Sequence, residues 1–168
     1  NNDEWCTAAG DDGNTGLDAA APKASVQAVV DEYDLEPGDT VRIDTGTYNL
    51  TNNITVSDAD GGSNNMPVVF EASPYGVVIN RGNTYWGSYC WEIGASYVHL
   101  TTATSSKYPG LPQSWMKVSG GNYGINTYGS YDRLSRIDAC SNFYCGLFVS
   151  GLYGVAENCL ARGNGYAG

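Results

Sequence analysis

Histidine is nearly missing from this 168-residue chain: His99 stands alone. The five cysteines, Cys6, Cys90, Cys140, Cys145 and Cys159, form no CxxC pair and have no neighbouring histidine, which argues against a zinc centre. Basic residues are also scarce, with Lys+Arg 8 against Asp+Glu 18. Residues 1–60 carry 13 acids and 2 bases, and residues 61–168 carry 5 acids and 6 bases. Neither half offers the basic surface that displaces counterions from a polyanion, so nucleic-acid binding is excluded as a working reading. No apolar run reaches the roughly 18 residues of a membrane span, and no membrane insertion is expected. The opening Asn1-Asn2-Asp3-Glu4 lacks a cleavable signal pattern and reads as the start of a mature or truncated chain.

Helix-building composition is lacking too. Charged residues are only 15%, whereas there are 22 Gly and 13 Tyr among many Val, Ile, Thr, Ser and Asn. That is the vocabulary of short strands separated by tight turns. Residues 1–24 carry Gly, Asn, Asp and Pro in loop arrangements. The one clear helix spans 25–35. Val26, Val29, Val30 and Tyr33 fall on one stripe, Ser25 can cap the first turn, and Pro37-Gly38 stops it. A single amphipathic helix cannot bury its stripe alone, so it must lie on the strands that follow. Short apolar-alternating segments then run from residue 40 to 101, and residues 102–114, with Pro109-Gly110-Leu111-Pro112, read as an inserted loop.

A repeat decides the architecture. Residues 124–145 set over 146–167 without gaps give six identities in 22 positions: Gly124/Gly146, Gly129/Gly151, Tyr131/Tyr153, Ala139/Ala161, Asn142/Asn164 and Tyr144/Tyr166. Ile125 over Leu147 adds an apolar match, and Gly168 begins a third copy in phase. A unit this short, holding strands and no helix, is one coil of a solenoid in which like side chains stack about 4.8 Å apart. The expectation is an all-β, right-handed parallel β-helix with coils of about 22 residues and a short N-terminal capping α-helix. It forms one domain over 1–168, read as a piece of a longer chain.

The stretches Pro22-Lys23-Ala24-Ser25-Val26-Gln27-Ala28-Val29-Val30, Leu35-Glu36-Pro37-Gly38-Asp39-Thr40-Val41 and Gly46-Thr47-Tyr48 carry a family likeness. They resemble the opening of right-handed parallel β-helices of the pectate-lyase-like superfamily, as found in large secreted bacterial proteins. The resemblance runs from about Asp11 to the end and implies a helix covering the first coil. It is more specific for fold than for function. It also implies two active-site patterns to look for: a Lys or Arg base beside acidic calcium ligands in lyases, and clustered Asp with a His-containing motif in hydrolases. The coils offer Arg81, Lys107, Lys117, Arg133, Arg136 and Arg162 as bases but only Glu71, Glu92, Asp132, Asp138 and Glu157 as acids, with no Asp-Asp pair. Asp132, Arg133, Arg136 and Asp138 are the catalytic candidates, and adjacent opposite charges of this kind are more often a solvated surface.

Three further features carry expectations. Asp11, Asp12, Asn14 and Asp18 could gather oxygens around Ca²⁺, although position six from Asp12 is Leu17 where an EF-hand needs Gly. Tyr85, Trp86, Tyr89 and Trp91 concentrate rings within seven residues beside Asn and Ser, the means by which proteins hold sugar rings. Five cysteines permit at most two bridges in any of 15 arrangements; Cys6–Cys90 and one pair among Cys140, Cys145 and Cys159 are the expected ones. Acidic, Tyr/Asn/Gly-rich composition with scattered cysteines suits an extracellular or cell-surface setting. The leading expectation is a non-catalytic structural or polysaccharide-associating segment. A polysaccharide lyase or glycoside hydrolase comes next, and a filament subunit joined end to end third. His99, between Val98 and Leu100, is expected to point outward without a role, and Asn49-Leu50-Thr51 and Asn53-Ile54-Thr55 match the glycosylation sequon.

Overall fold

The computed structural model describes residues 4–104 and 113–166. The central part of the expected 102–114 loop, Lys107 and Gly168 lie outside the described residues. The strands come in rounds of three. The first round is β1 (Thr40–Ile43), β2 (Gly46–Asn49) and β3 (Ile54–Val56), and the second is β4 (Val68–Ala72), β5 (Val77–Asn80) and β6 (Tyr89–Ile93). The third is β7 (Val98–Thr102), β8 (Met116–Ser119) and β9 (Tyr123–Thr127), and the fourth is β10 (Arg133–Ser135), β11 (Ile137–Cys140) and β12 (Cys145–Val149). β13 (Val155–Glu157) and β14 (Leu160–Arg162) begin a fifth. Each strand pairs in parallel with its counterpart one round away. The result is three sheets: β1-β4-β7-β10-β13, β2-β5-β8-β11-β14, and β3-β6-β9-β12. The chain is a parallel β-helix.

Alternation sends every second side chain inward, where register stacks like on like. Val41, Phe70, Leu100 and Leu134 form one inner ladder of the first sheet. Ile54, Trp91, Ile125 and Leu147 form one of the third. Each fully buried aliphatic or Phe side chain of these ladders contributes about 1.5–3 kcal/mol, against about 0–1 kcal/mol for an exposed ion pair such as Arg42–Glu71. The interior ladders, not the charged outer rows, hold the coils together.

The 22-residue period is present where the repeat places it: Asn142 bonds Asn164, 22 positions on. Tyr131 stacks on Tyr153 at 4.7 Å, and Tyr144 on Tyr166 at 4.6 Å. Earlier coils are longer, 31 residues between the paired Asn49 and Asn80 and 34 between the paired Ser96 and Ser130, because loops are inserted at the corners. Gly151 has no alternative residue, since a Cβ there would sit 1.6 Å from the carbonyl oxygen of Gly129 in the coil below.

The helix, α1 (Val26–Glu32), is shorter than the expected 25–35. Ser25 caps it by accepting the Ala28 N–H, and Tyr33 leaves the helical region with extended backbone. Val26 and Val30 are buried, with Val29 and Tyr33 packed half-buried against the same core. The helix lies over β1 and β3. Gln27 meets the open edge of β3, its amide oxygen accepting the Thr55 N–H at 2.7 Å and its amide nitrogen donating to the Thr55 carbonyl at 3.4 Å. The N-terminal loop is clamped at the same end. The carboxylate of Asp44 accepts the backbone N–H groups of Glu4, Trp5, Cys6 and Thr45. Burial pushes that carboxyl up, but the four N–H groups outweigh burial and hold it below the usual carboxylate range.

The expected disulfides do not form: no two of the five cysteines are joined. Cys6 lies on the N-terminal loop beside Asp44, whereas Cys90 is buried in the second coil with its thiol directed at the Ser119 carbonyl, 3.2 Å away. Burial drives the Cys90 thiol up to about 12, so it stays protonated. Cys145 and Cys159 direct their thiols to the Leu147 and Glu157 carbonyls.

Candidate functional site

The catalytic candidates do not converge. Asp132 is 1% exposed; it accepts the Val98 N–H at 2.9 Å and a short bond from the Thr127 hydroxyl. Burial raises its carboxyl despite those two donors. Arg133 stands on the outer face of the first sheet, paired with Glu157. Arg136 turns at a corner and donates to the Thr102 carbonyl and, at 3.1 Å, to the Thr101 hydroxyl. Asp138 is on the second sheet, paired with Arg162. The four side chains therefore point to the interior, one sheet, a corner and another sheet. His99 lies half-buried beside Arg133 on the first sheet, and burial together with that guanidinium lowers its pKa.

The proposed calcium ligands serve as local staples. Asp12 accepts the N–H groups of Ala24 and Ser25 and the Ser25 hydroxyl, Asp11 accepts the Gly13 N–H, and Asp18 accepts the Ala20 N–H. Asn14 donates to the Pro22 carbonyl. Among the described residues no three His, Cys, Asp or Glu side chains gather as a metal set. Nearby, Lys23 bonds the carbonyls of Asp12 and Asn14 and the Glu32 carboxylate, tying the loop to α1.

The aromatic run divides. Trp91 faces inward and is fully buried, its ring 5.2 Å from Phe70 and edge-on to it. Strand alternation places it in the third sheet's inner ladder, so it cannot meet a ligand. Tyr85 and Trp86 go the other way: each is 82% exposed. They ride on a loop between β5 and β6 that hydrogen bonds fix at several points. Asn53 accepts the Tyr89 N–H and donates to the Gly87 carbonyl, both at 3.0 Å. Asn122 donates to the carbonyls of Thr84 and Ser88, at 3.3 and 2.7 Å, and Asn83 donates to the Gly120 carbonyl at 3.0 Å. Two large rings are held in water by a backbone with little freedom.

Behind them sits a cluster that the sequence does not bring together. Tyr123, nearly buried on β9, is the hub, with ring centroids of Tyr89 and Tyr144 at 5.3 Å, Phe148 at 5.6 Å and Trp86 at 6.4 Å. Tyr144 stacks on Tyr166, and these two with Phe143, Thr84 and Asn142 line an open groove of about 540 Å³. The rings come from four coils and meet only because the coils stack. The one available sequence signal was Tyr144 over Tyr166 in the repeat. The fold defines this chain as a parallel β-helix solenoid with an aromatic ridge at one corner. No protein-family model, no curated protein and no solved structure matches the chain.

Proposed function

We propose that this chain is a non-catalytic, carbohydrate-associating β-helix segment of a secreted or cell-surface protein, of the pectate-lyase-like kind that its opening resembles. The observation that carries the reading is the pair Tyr85 and Trp86, each 82% exposed on a hydrogen-bonded loop. Rigid rings lose little freedom on binding and stack on the apolar faces of sugar rings, while neighbouring Asn and Ser groups meet the hydroxyls. The scatter of the acids and bases over separate faces favours binding over turnover. The test is retention on immobilised polysaccharides together with an assay for released sugar ends. Wild-type chain should be retained without releasing product, and Tyr85→Ala/Trp86→Ala should lose at least about tenfold in affinity, roughly 1.4 kcal/mol. Full retention of the double variant, or no retention of the wild type on any polysaccharide, overturns the reading.

A further inference from the structure

The outer face of the third sheet carries a row that meets the ring ridge at Phe148. Thr55, Glu92, Asn126 and Phe148 are register partners in four successive coils, so they lie in line along the solenoid axis at about the 4.8 Å strand spacing. Glu92 is held in place by Asn53, whose amide donates to one carboxylate oxygen at 3.1 Å. At one end of the strands Tyr128 reaches back over Gly94. A Cβ on Gly94 would lie 2.9 Å from the tyrosine ring and 3.0 Å from its hydroxyl, so the glycine leaves the room that the ring needs there. Tyr128 is 53% exposed, and Phe148 is 45% exposed. At the other end stand Tyr89 and Trp86 of the ridge.

We propose that this face is the glycan track, and that the glycan it takes is an uncharged, hydroxyl-rich polysaccharide, with Glu92, Asn126 and Tyr128 setting that preference. The proposal rests on the carbohydrate reading above. Its first ground is the inventory of groups: a carboxylate that only accepts, a carboxamide that does both, and hydroxyls of Thr and Tyr that do both. Such a mixed set matches sugar hydroxyls, which also donate and accept; an ammonium group would ask for acceptors alone. Its second ground is charge. Glu92 has no Lys or Arg within ion-pair distance among the described residues, and Asp58 acts with it on Tyr128, so a uronate or sulfate polymer would meet carboxylates on this face and be repelled. The phenols remain neutral: burial raises both, with Glu92 adding to the effect at Tyr89 and at Tyr128.

The test measures binding of the purified chain to soluble β-glucan, mannan and arabinoxylan, with polygalacturonate and chitosan oligomers as charged probes, by isothermal titration. At least one neutral polymer should bind, and polygalacturonate should bind at least tenfold more weakly. Tyr128→Ala and Asn126→Ala should each weaken neutral binding about tenfold. Gly94→Leu, which displaces the Tyr128 ring, should match Tyr128→Ala. Glu92→Gln should narrow the gap between neutral polymer and polygalacturonate. Equal or tighter wild-type binding of polygalacturonate or chitosan overturns the proposal, as does unchanged neutral binding in Tyr128→Ala and Asn126→Ala. If those two variants bind normally while Tyr85→Ala/Trp86→Ala does not, the track is wrong and the ridge reading stands. If no polymer binds at all, both fail. Circular dichroism melts of these surface variants separate lost binding from lost fold.

Discussion

Asp132 and Asp44 are both almost out of water, yet their carboxyls are pushed in opposite directions, and the difference lies in how many N–H groups each receives. Asp44 collects four backbone donors; Asp132 has one N–H and one hydroxyl, and burial prevails. For Asp132 the folded pKa lies above the unfolded value. The folded state therefore holds the proton longer, and stability falls as pH rises from the unfolded value through the raised folded one. Asp132→Asn keeps an oxygen for the Val98 N–H and removes the charge. Thermal melts from pH 3 to 8 should show the variant losing that decline and equalling or exceeding wild type at neutral pH. A variant melting well below wild type at pH 7, with the same pH slope, would show that the carboxylate is needed as a charge. Asp44 contributes in the reverse sense: its contribution is present above the unfolded carboxylate pKa and lost as pH falls through the lowered folded one.

Among the elements, the corner before the first sheet has its own ladder. Tyr97, Tyr131 and Tyr153 all take left-handed backbone, with φ of 59, 62 and 59°, a conformation that costs a non-glycine residue of order 1–3 kcal/mol. Their rings stack in one column, Tyr97 on Tyr131 at 4.7 Å and Tyr131 on Tyr153 at 4.7 Å, and the stacking offsets that cost. Tyr131, stacked on both sides, should lose about 1–3 kcal/mol on change to Ala, from about 0.5–1.5 kcal/mol for each aromatic pair. Tyr153→Ala, with one partner, should lose about half as much; urea unfolding of the two variants gives the comparison, and equal losses would refute the column. The capping helix makes a parallel case. Val30→Asp puts an unpaired charge into the sealed end of the first coil and should cost several kcal/mol, whereas Val29→Asp, at a half-buried position, should cost less. Equal, near-wild-type melting of both would mean that the helix does not seal the coil.

At the scale of the whole molecule the two ends differ. The N-terminal end is closed by α1, by the Gln27–Thr55 bonds and by the Asp44 clamp. It also holds most of the negative charge, 13 acids against 2 bases in residues 1–60. Among the described residues the last coil shows exposed apolar side chains beside β13 and β14, which pair on one side only, a condition under which strand edges of the isolated 168-residue chain recruit partners. Light scattering should show the particle growing with concentration, and Leu152→Lys/Leu160→Lys should abolish growth without lowering the melting temperature. A chain that stays monomeric at high concentration, with β13 and β14 protected from hydrogen exchange, would rule out association through this face.

The architecture is legible in the order of the amino acids, through the few positions where stacking leaves no latitude. Gly129 over Gly151, Asn142 over Asn164 and the paired tyrosines recur every 22 residues because each touches its own counterpart one coil away. The helix was legible for a similar reason, since its valine stripe needs one apolar surface. The longer early coils were not legible as repeats, because corner loops of unequal length put paired residues out of phase. Tertiary structure alone decided which rings face water. Trp91 and Trp86 lie five residues apart in the same aromatic run, and only the register of β6 sends one to the core and leaves the other on the loop. Tertiary structure also assembled the candidate site, since Thr55, Glu92, Asn126 and Phe148 are distant in sequence and become neighbours only when four coils stack in parallel. A linear pattern reports which residues share a strand face. It does not report which coils meet, because that depends on loop lengths that carry no periodic signal.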